Sequence, residues 1–437
     1  MSATLRIIIW FSVVSCASPA LADNWPQWRG PQANGVSAEK GLPIRWSAEE
    51  NVAWKAPLEG LGTSSPVVWG DAIFVTSQIG TGPVDRRGAE FPGGLAAREY
   101  PSDDGGVQFL VYAIHRSDGH VIWQHRFAAE GKLPAVHYKH SLASPSCVTD
   151  GESVYAWMGT GQLVALDMNG KMLWKRHIGQ EYAPFDILWG HGSSPALYEN
   201  LLYLLCDHPA GGYLLALDKR TGKEVWKRER GPGLRSYSTP FLLEKEDGNE
   251  LIVNSSHRIE SLNPMTGEIL WYAGEPTALA IPMPVSHQGI LFASRGYSSG
   301  PYLSIRGGGR GDVSDTHLRW RSPTGAPYVS SLLYYQDLVY MANEHGIVTA
   351  VDANTGGLVW RERLGDVFTA SPMAADGKIY LLGESGETVV LQAGRMSRVL
   401  ARNPLNERSL ASPAASQGQI FIRTDRHLFG IGTPLSP

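Results

Sequence analysis

Histidines set the first chemical question in this chain. His140, His191 and His208 lie in short loops that also hold His137, Tyr138, Trp189 and Asp207. Neutral imidazoles beside a carboxylate can ligate zinc or relay protons. The patterns that usually fix such an ion are missing, because there is no HExxH, no paired CxxC and no carboxylate-rich calcium loop. The cluster Gly307-Gly308-Gly309-Arg310-Gly311 lacks the strand, lysine and helix of a phosphate loop and reads as a turn, with Arg310-Gly311-Asp312 a coincidence of that turn. No catalytic residue and no metal ligand is therefore assigned. The histidines are read as hydrogen-bonding groups of a polar channel within a wider candidate binding face: His137, Tyr138, His140, Trp189, His191, His208, Arg235, Tyr237 and Tyr328.

What must position that face is a repeat. Phrases such as LLALDKRTGKEVW end at Trp123, Trp174, Trp226, Trp271 and Trp360, a degenerate copy ends at Trp320, and a copy ending at Leu400 has lost its tryptophan. A second phrase, a small residue and a proline before an apolar run, interleaves with the first at Ser65-Pro66, Ser144-Pro145, Ser194-Pro195, Thr239-Pro240, Met283-Pro284, Ser371-Pro372 and Ser412-Pro413, with Ser330-Ser331 standing in once. Units of this length with four short strands each are β-propeller blades. In each hairpin the aspartate can accept from turn amides and the glycine can take the positive φ that other residues resist. The tryptophans, counting Trp54, can bury a flat surface against the next blade while donating through the indole N–H.

The expected fold is all-β, an eight-bladed propeller over residues 51–437. Its last blade supplies three strands, and the orphan strand at Asn51–Pro57 completes it, leaving no open edge between first and last blades. Strand parity puts the loops between second and third strands and those between blades on one side, where the candidate face lies. Residues 79–106 form a long insertion in blade 1, either a lid over the pore mouth or a floppy excursion. Residues 23–50 form an N-terminal arm, read as an aromatic clip over the propeller rim or else as a patch in which Trp25, Trp28 and Arg29 meet a ligand or partner.

Composition sets the address. The 437 residues are 43% hydrophobic and 18% charged with a net charge of -4, which suits a packed core and shows no basic stripe for nucleic acid. Residues 1–22 read as a secretory signal, with Arg6, an apolar run from Ile7 to Val14 and cleavage after Ala20-Leu21-Ala22. The alternative is a lipobox at Val13-Val14-Ser15-Cys16, which would leave a lipid anchor on Cys16. No later stretch is long enough to span a membrane as a helix. The expectation is an exported monomer, periplasmic or secreted. Cys147 and Cys206 sit in apolar strand contexts and read as buried thiols, with a single bridge between repeats as the alternative.

The set Ala216, Asp218, Thr221, Gly222, Lys223 and Trp226 resembles the repeat of the pyrroloquinoline-quinone (PQQ) propeller family. The opening Trp25-Pro26-Gln27-Trp28-Arg29-Gly30-Pro31, followed by Gly35-Val36-Ser37, resembles the start of a group of exported bacterial PQQ-like propellers. That family holds quinoprotein dehydrogenases and also non-catalytic scaffolds, among them the lipoprotein of the outer-membrane β-barrel assembly machinery. In the dehydrogenases the resemblance implies adjacent cysteines over the cofactor, a calcium held by Glu, Asn and Asp, an Asp base and often a CxxCH haem site. This chain has neither adjacent cysteines nor CxxCH. The resemblance thus implies a non-catalytic binding or scaffold module with a protein partner in the cell envelope and no cofactor. The alternatives are an oxidoreductase using PQQ with calcium at the pore mouth, and a glycan-binding or hydrolase- or lyase-type propeller.

Overall fold

A computed structural model describes residues 24–80, 82, 84–85, 106–185, 187–296 and 300–433. Residues 1–22, expected to be a signal segment, with Cys16, most of the 79–106 insertion, and Asp186 lie outside the described residues. Eight antiparallel four-stranded sheets form the ring. Blade 3 shows the plan from the axis outward: Ala196–Tyr198, Leu201–Cys206, Gly212–Asp218 and Glu224–Gly231. The second and third strands are buried on both faces because each sheet is packed between two others, so they read as continuous apolar runs. The outer strand is partly to fully exposed along its length.

Blade 8 consists of Ala414–Ser416, Gln419–Arg423 and His427–Ile431, and the strand Val52–Pro57 completes it, with Lys55 opposite Phe429 and Ala56 opposite Leu428. Beside the blade tryptophans the outer strand carries a one-residue bulge, as where Ala216 faces Trp226 while Leu217 faces Glu224. The bulge turns the indole toward the next blade. There it lies against the hairpin glycine: a Cβ on Gly222 would fall 2.8 Å from the Trp174 ring, and one on Gly119 2.5 Å from Trp54. The indole N–H then donates to a backbone carbonyl of the neighbour, Trp54 to Arg116, Trp123 to Met168, Trp174 to Lys219, Trp226 to Pro264, Trp320 to Ala353 and Trp360 to Gly394.

Trp271 is buried in the apolar cluster that holds Leu291 and Leu303 of blade 5, but its indole donor stays within its own blade. Its indole donates at 2.6 Å to Glu250 of its own blade. The cause lies in blade 5, whose degenerate hairpin sends Gly311–Asp312 alongside Ile269–Ala273 as a fifth strand and presents no glycine hairpin to receive the ring.

The small residue two positions before each innermost strand has a definite task. Ser65 N–H donates to Ser146 Oγ, Ser146 to Ser194, Ser194 to Thr239, Met283 to Ser331, Ser331 to Ser371, Ser371 to Ser412, and Ser412 back to Ser65. The hydroxyls form a girdle around the axis, interrupted where Met283 offers Thr239 no oxygen. In blade 2 the girdle residue is Ser146, after Pro145, while Ser144 before it takes a hydrogen bond from Thr63.

The N-terminal arm enters the axial channel over its first half and then passes outward across blade 7, where Arg45 donates to the Leu400 carbonyl and the Trp46 amide to Asn403 Oδ1 of the outer strand. Trp25 exchanges backbone hydrogen bonds with Val68 of blade 1, Thr149 of blade 2 donates to the Pro26 carbonyl, and Val36–Ser37 pairs in parallel with Met373–Ala375 of blade 7. Arg29 is buried, and its guanidinium donates to the Leu332 carbonyl of blade 6. Trp25 and Trp46 are buried, Trp46 stacking on Tyr380. A channel wide enough to admit backbone would otherwise leave the innermost strands with unpaired polar groups, and the arm satisfies them. Cys147 and Cys206 are buried free thiols.

Candidate functional site

The arm divides the axis into two cavities. One, of about 680 Å³, opens among first-to-second strand turns and is lined by Gln32, Asn34, Tyr198, His287 and Tyr334. The other, of about 360 Å³, opens among the interblade loops. Its floor is Trp28, whose indole reaches Ser412 of the girdle at 3.4 Å, and its lower wall is the girdle itself.

Interblade loops bring six of the nine candidate residues to this mouth: His137, Tyr138, His140, Trp189, Tyr237 and Tyr328. His137 and Tyr138 are 4.3 Å apart between ring centroids, and Trp189 meets His137 edge-on at 5.8 Å. Trp189 takes φ +74, an uncommon conformation for a large side chain, in the tight turn before Gly190. The Tyr237 hydroxyl donates to the Leu188 carbonyl, tying two loops together, and burial pushes its phenol well above the ordinary range.

One ion pair spans the mouth. Lys139 Nζ lies 3.0 and 2.9 Å from the two oxygens of Glu384, joining the loop after blade 1 to blade 7. Thr369 also donates to that carboxylate, and Glu384 is 2% exposed. Lys139 stands in a loop singled out for its histidines and tyrosine. Its own part escaped notice because a lysine beside such residues ordinarily signals solvent.

The remaining three candidates lie elsewhere. Arg235 is exposed and does not line the cavity. His191 and His208 are buried between blades 2 and 3, packed among Trp157 and Phe185 with Nδ1 of one 3.5 Å from Nε2 of the other. Burial lowers His208 to about 4 and holds His191 well below its ordinary value, with His208 and His140 adding repulsion to the latter. Asp207 does not join them. It is fully buried and bound by Arg230, Nε to Oδ1 at 2.6 Å, and by Ser255.

A PQQ molecule with calcium does not fit this donor set. Calcium requires about six to eight oxygens, whereas both oxygens of Glu384 are engaged by Lys139 and Glu344 accepts from the Tyr328 amide at 3.3 Å. Among the described residues, the group of three converging metal-ligating side chains is His115, Asp118 and His120, far from this mouth on an outer hairpin. The spacing Gly296-Tyr297-Ser298-Ser299-Gly300 matches the serine elbow of hydrolases, against the expectation that the chain holds no such elbow. It joins two antiparallel strands of blade 5, Ile290–Ser294 and Tyr302–Arg306, instead of a strand and a helix, and 297–299 lie outside the described residues.

The family model described as "Outer membrane protein assembly factor BamB" matches residues 107–299 and 344–432. Outer membrane protein assembly factor BamB of Escherichia coli K12 is 28% identical over 322 residues, covering 64% of this chain and 72% of that protein. The Salmonella typhimurium protein of that name is 26% identical over 226 residues, and the match spans only 55% of its length. A tetrathionate hydrolase of Acidithiobacillus ferrooxidans is 27% identical over 294 residues, 62% of this chain and 53% of the hydrolase. Among solved structures, BamB from Moraxella catarrhalis superposes with a TM-score of 0.58 at 14% identity, covering 86% of this chain and 98% of that one. Quinohemoprotein alcohol dehydrogenase from Comamonas testosteroni gives 0.64 at 13% identity, covering 96% and 82%. At these identities the structures speak for the fold alone. Since the family model matches more than half of its residues, this chain belongs to the PQQ-like propeller family described as outer membrane protein assembly factor BamB.

Proposed function

We propose that this chain is an exported, non-catalytic propeller that binds a protein partner in the cell envelope, acting as a scaffold of the kind its BamB-named relatives are named for. The observation that carries this reading is the mouth of the channel. It presents aromatic rings from successive interblade loops on a rigid ring, while its buried carboxylate is already neutralised by Lys139. Preset aromatic side chains bury area at small entropic cost, which suits a docking surface. Held by Lys139 and Thr369, the Glu384 carboxylate is not free to serve as a general base. Export is part of the proposal, resting on residues 1–22 as a signal segment, with a lipid anchor at Cys16 as the version closest to barrel assembly. Among the described residues no helix is long and apolar enough to cross a membrane.

Site-specific photo-cross-linking tests it. A cross-linker at Tyr237 or Tyr328 should capture one envelope protein, and a cross-linker at Tyr198 or His287 on the opposite end should not. Capture only from the opposite end would move the docking surface. Saturable thermal stabilisation by PQQ with calcium, without capture at either end, would replace the scaffold by the oxidoreductase reading.

A further inference from the structure

The hairpin between the third and fourth strands of blade 1 departs from its counterparts in a concerted way. In blades 3 and 6 this turn has an aspartate that accepts from a threonine three residues on, Thr221 Oγ1 to Asp218 at 2.8 Å and Thr355 Oγ1 to Asp352 at 3.2 Å. The backbone is the same in blade 1. Gly119 N donates to the His115 carbonyl at 2.9 Å, as Gly222 does to Asp218 and Gly356 to Asp352 at 2.8 Å, and the three glycines have φ +75, +69 and +71. His115 therefore stands at the aspartate position, Asp118 at the threonine position and His120 where Lys223 or Gly357 stands.

The repeat already brings the first two of these positions into contact, and the substitutions fill all three with metal-ligating groups. His120 Nδ1 is 2.7 Å and His115 Nδ1 3.2 Å from the same oxygen, Asp118 Oδ1. The imidazoles stack at 4.8 Å, and one ligand atom of each residue lies within 4.8 Å of the other two. Tetrahedral zinc with ligand distances of about 2.1 Å sets its ligands roughly 3.4 Å apart, so a small shift suffices. Ser117 Oγ, now 2.9 Å from His115 Nδ1, need only rotate away. The backbone beneath is fixed: Gly119 rests on the Trp54 ring, Trp54 donates to the Arg116 carbonyl, and Arg116 N donates to Asp71. Arg116, the nearest cation in sequence, is buried and turned toward Gln419 and Asp71.

We propose that His115, Asp118 and His120 form a binding site for a zinc-class divalent metal ion. Its two imidazoles and one carboxylate are the borderline donor set that such ions take in preference to calcium or magnesium. The remaining coordination position faces solvent. A bound ion ties the two sides of the hairpin on which Trp54 docks, so it stiffens the seam at which the N-terminal strand closes the ring.

The test uses the whole mature protein, stripped with a chelator. Zinc is titrated at pH 7.5 in competition with a chromophoric chelator, and cobalt absorbance reports the coordination number. One zinc per chain is expected, with affinity at least about tenfold weaker in His120→Gln and again in Asp118→Asn. Both side chains are largely exposed, so the variants should keep the parent melting temperature in chelator. Absence of a stoichiometric zinc overturns the proposal. So does unchanged affinity in both variants, which would place the ion on other histidines.

Discussion

Acid stability offers a sharp test of the buried histidine pair. His208 is 1% exposed and its native pKa lies at about 4 against an ordinary 6.5, because burial disfavours the imidazolium. A depressed histidine pKa means that the unfolded chain takes up protons the native state refuses. The stabilisation is complete above pH 6.5 and is lost as pH falls toward 4. At pH 5 the unfolded state gains RT ln(1 + 10^1.5) and the native state only RT ln(1 + 10^-1), a difference of about 2 kcal/mol from this one residue. Replacement by phenylalanine, which suits the surroundings of Phe185 and Trp157, removes the titration. Urea unfolding at pH 7.5 and pH 5 should show the parent losing about 2 kcal/mol more than His208→Phe over that interval. His191, also held far below its ordinary value, keeps its larger cause, burial, in both proteins and loses only the smaller repulsion from His208 in the variant. Equal losses in parent and variant would refute the burial argument and imply that His208 reaches solvent or a proton-accepting partner.

Three further outcomes follow from the same contacts. Lys139→Met leaves the buried Glu384 carboxylate without its cation and should destabilise by about 2–3 kcal/mol, with Glu384→Gln in the same chain recovering part of it in denaturant melts. Gly222→Ala forces a Cβ toward the Trp174 ring at φ +69, and thermal unfolding should show a loss of at least about 1 kcal/mol, whereas Gly41→Ala, with open space around it, should show only the smaller cost of its positive φ. Ser412→Ala removes the acceptor for the Ser371 amide in the girdle and should cost about 1–2 kcal/mol, measured as a shift in the urea midpoint.

The ring was readable because each blade repeats the same local solution. Asp218, Thr221, Gly222 and Trp226 encode a turn, a register and a docking ring within a dozen residues, and the copies reinforce one another. Loop parity likewise brought Tyr138, Trp189, Tyr237 and Tyr328 to one mouth. What escaped has no local period. The path of Trp25 to Ser37 is set by free backbone groups on blades 1, 2, 6 and 7, which no pattern within the arm reveals. His191 occupies an interblade loop as expected, yet its ring turns sideways between blades to join Phe185 and His208, and only packing volume decides that. The acceptor of the Trp271 indole has no local signal either, because Glu250 resembles any surface glutamate until the strand that buries it is in place.

The threaded arm and the borrowed strand also order events in time. Val52–Pro57 finds its sheet only when His427–Ile431 exists, and Val36–Ser37 waits for Met373–Ala375. These two segments are thus among the last to settle. Until then the partly built ring has an unpaired blade edge and an open bore, the kind of surface that associates with other chains. Closing the ring requires a search across nearly the whole sequence, and longer searches of this kind slow folding. A chain fastened this way stays pliable until its final residues arrive, and then locks as a unit.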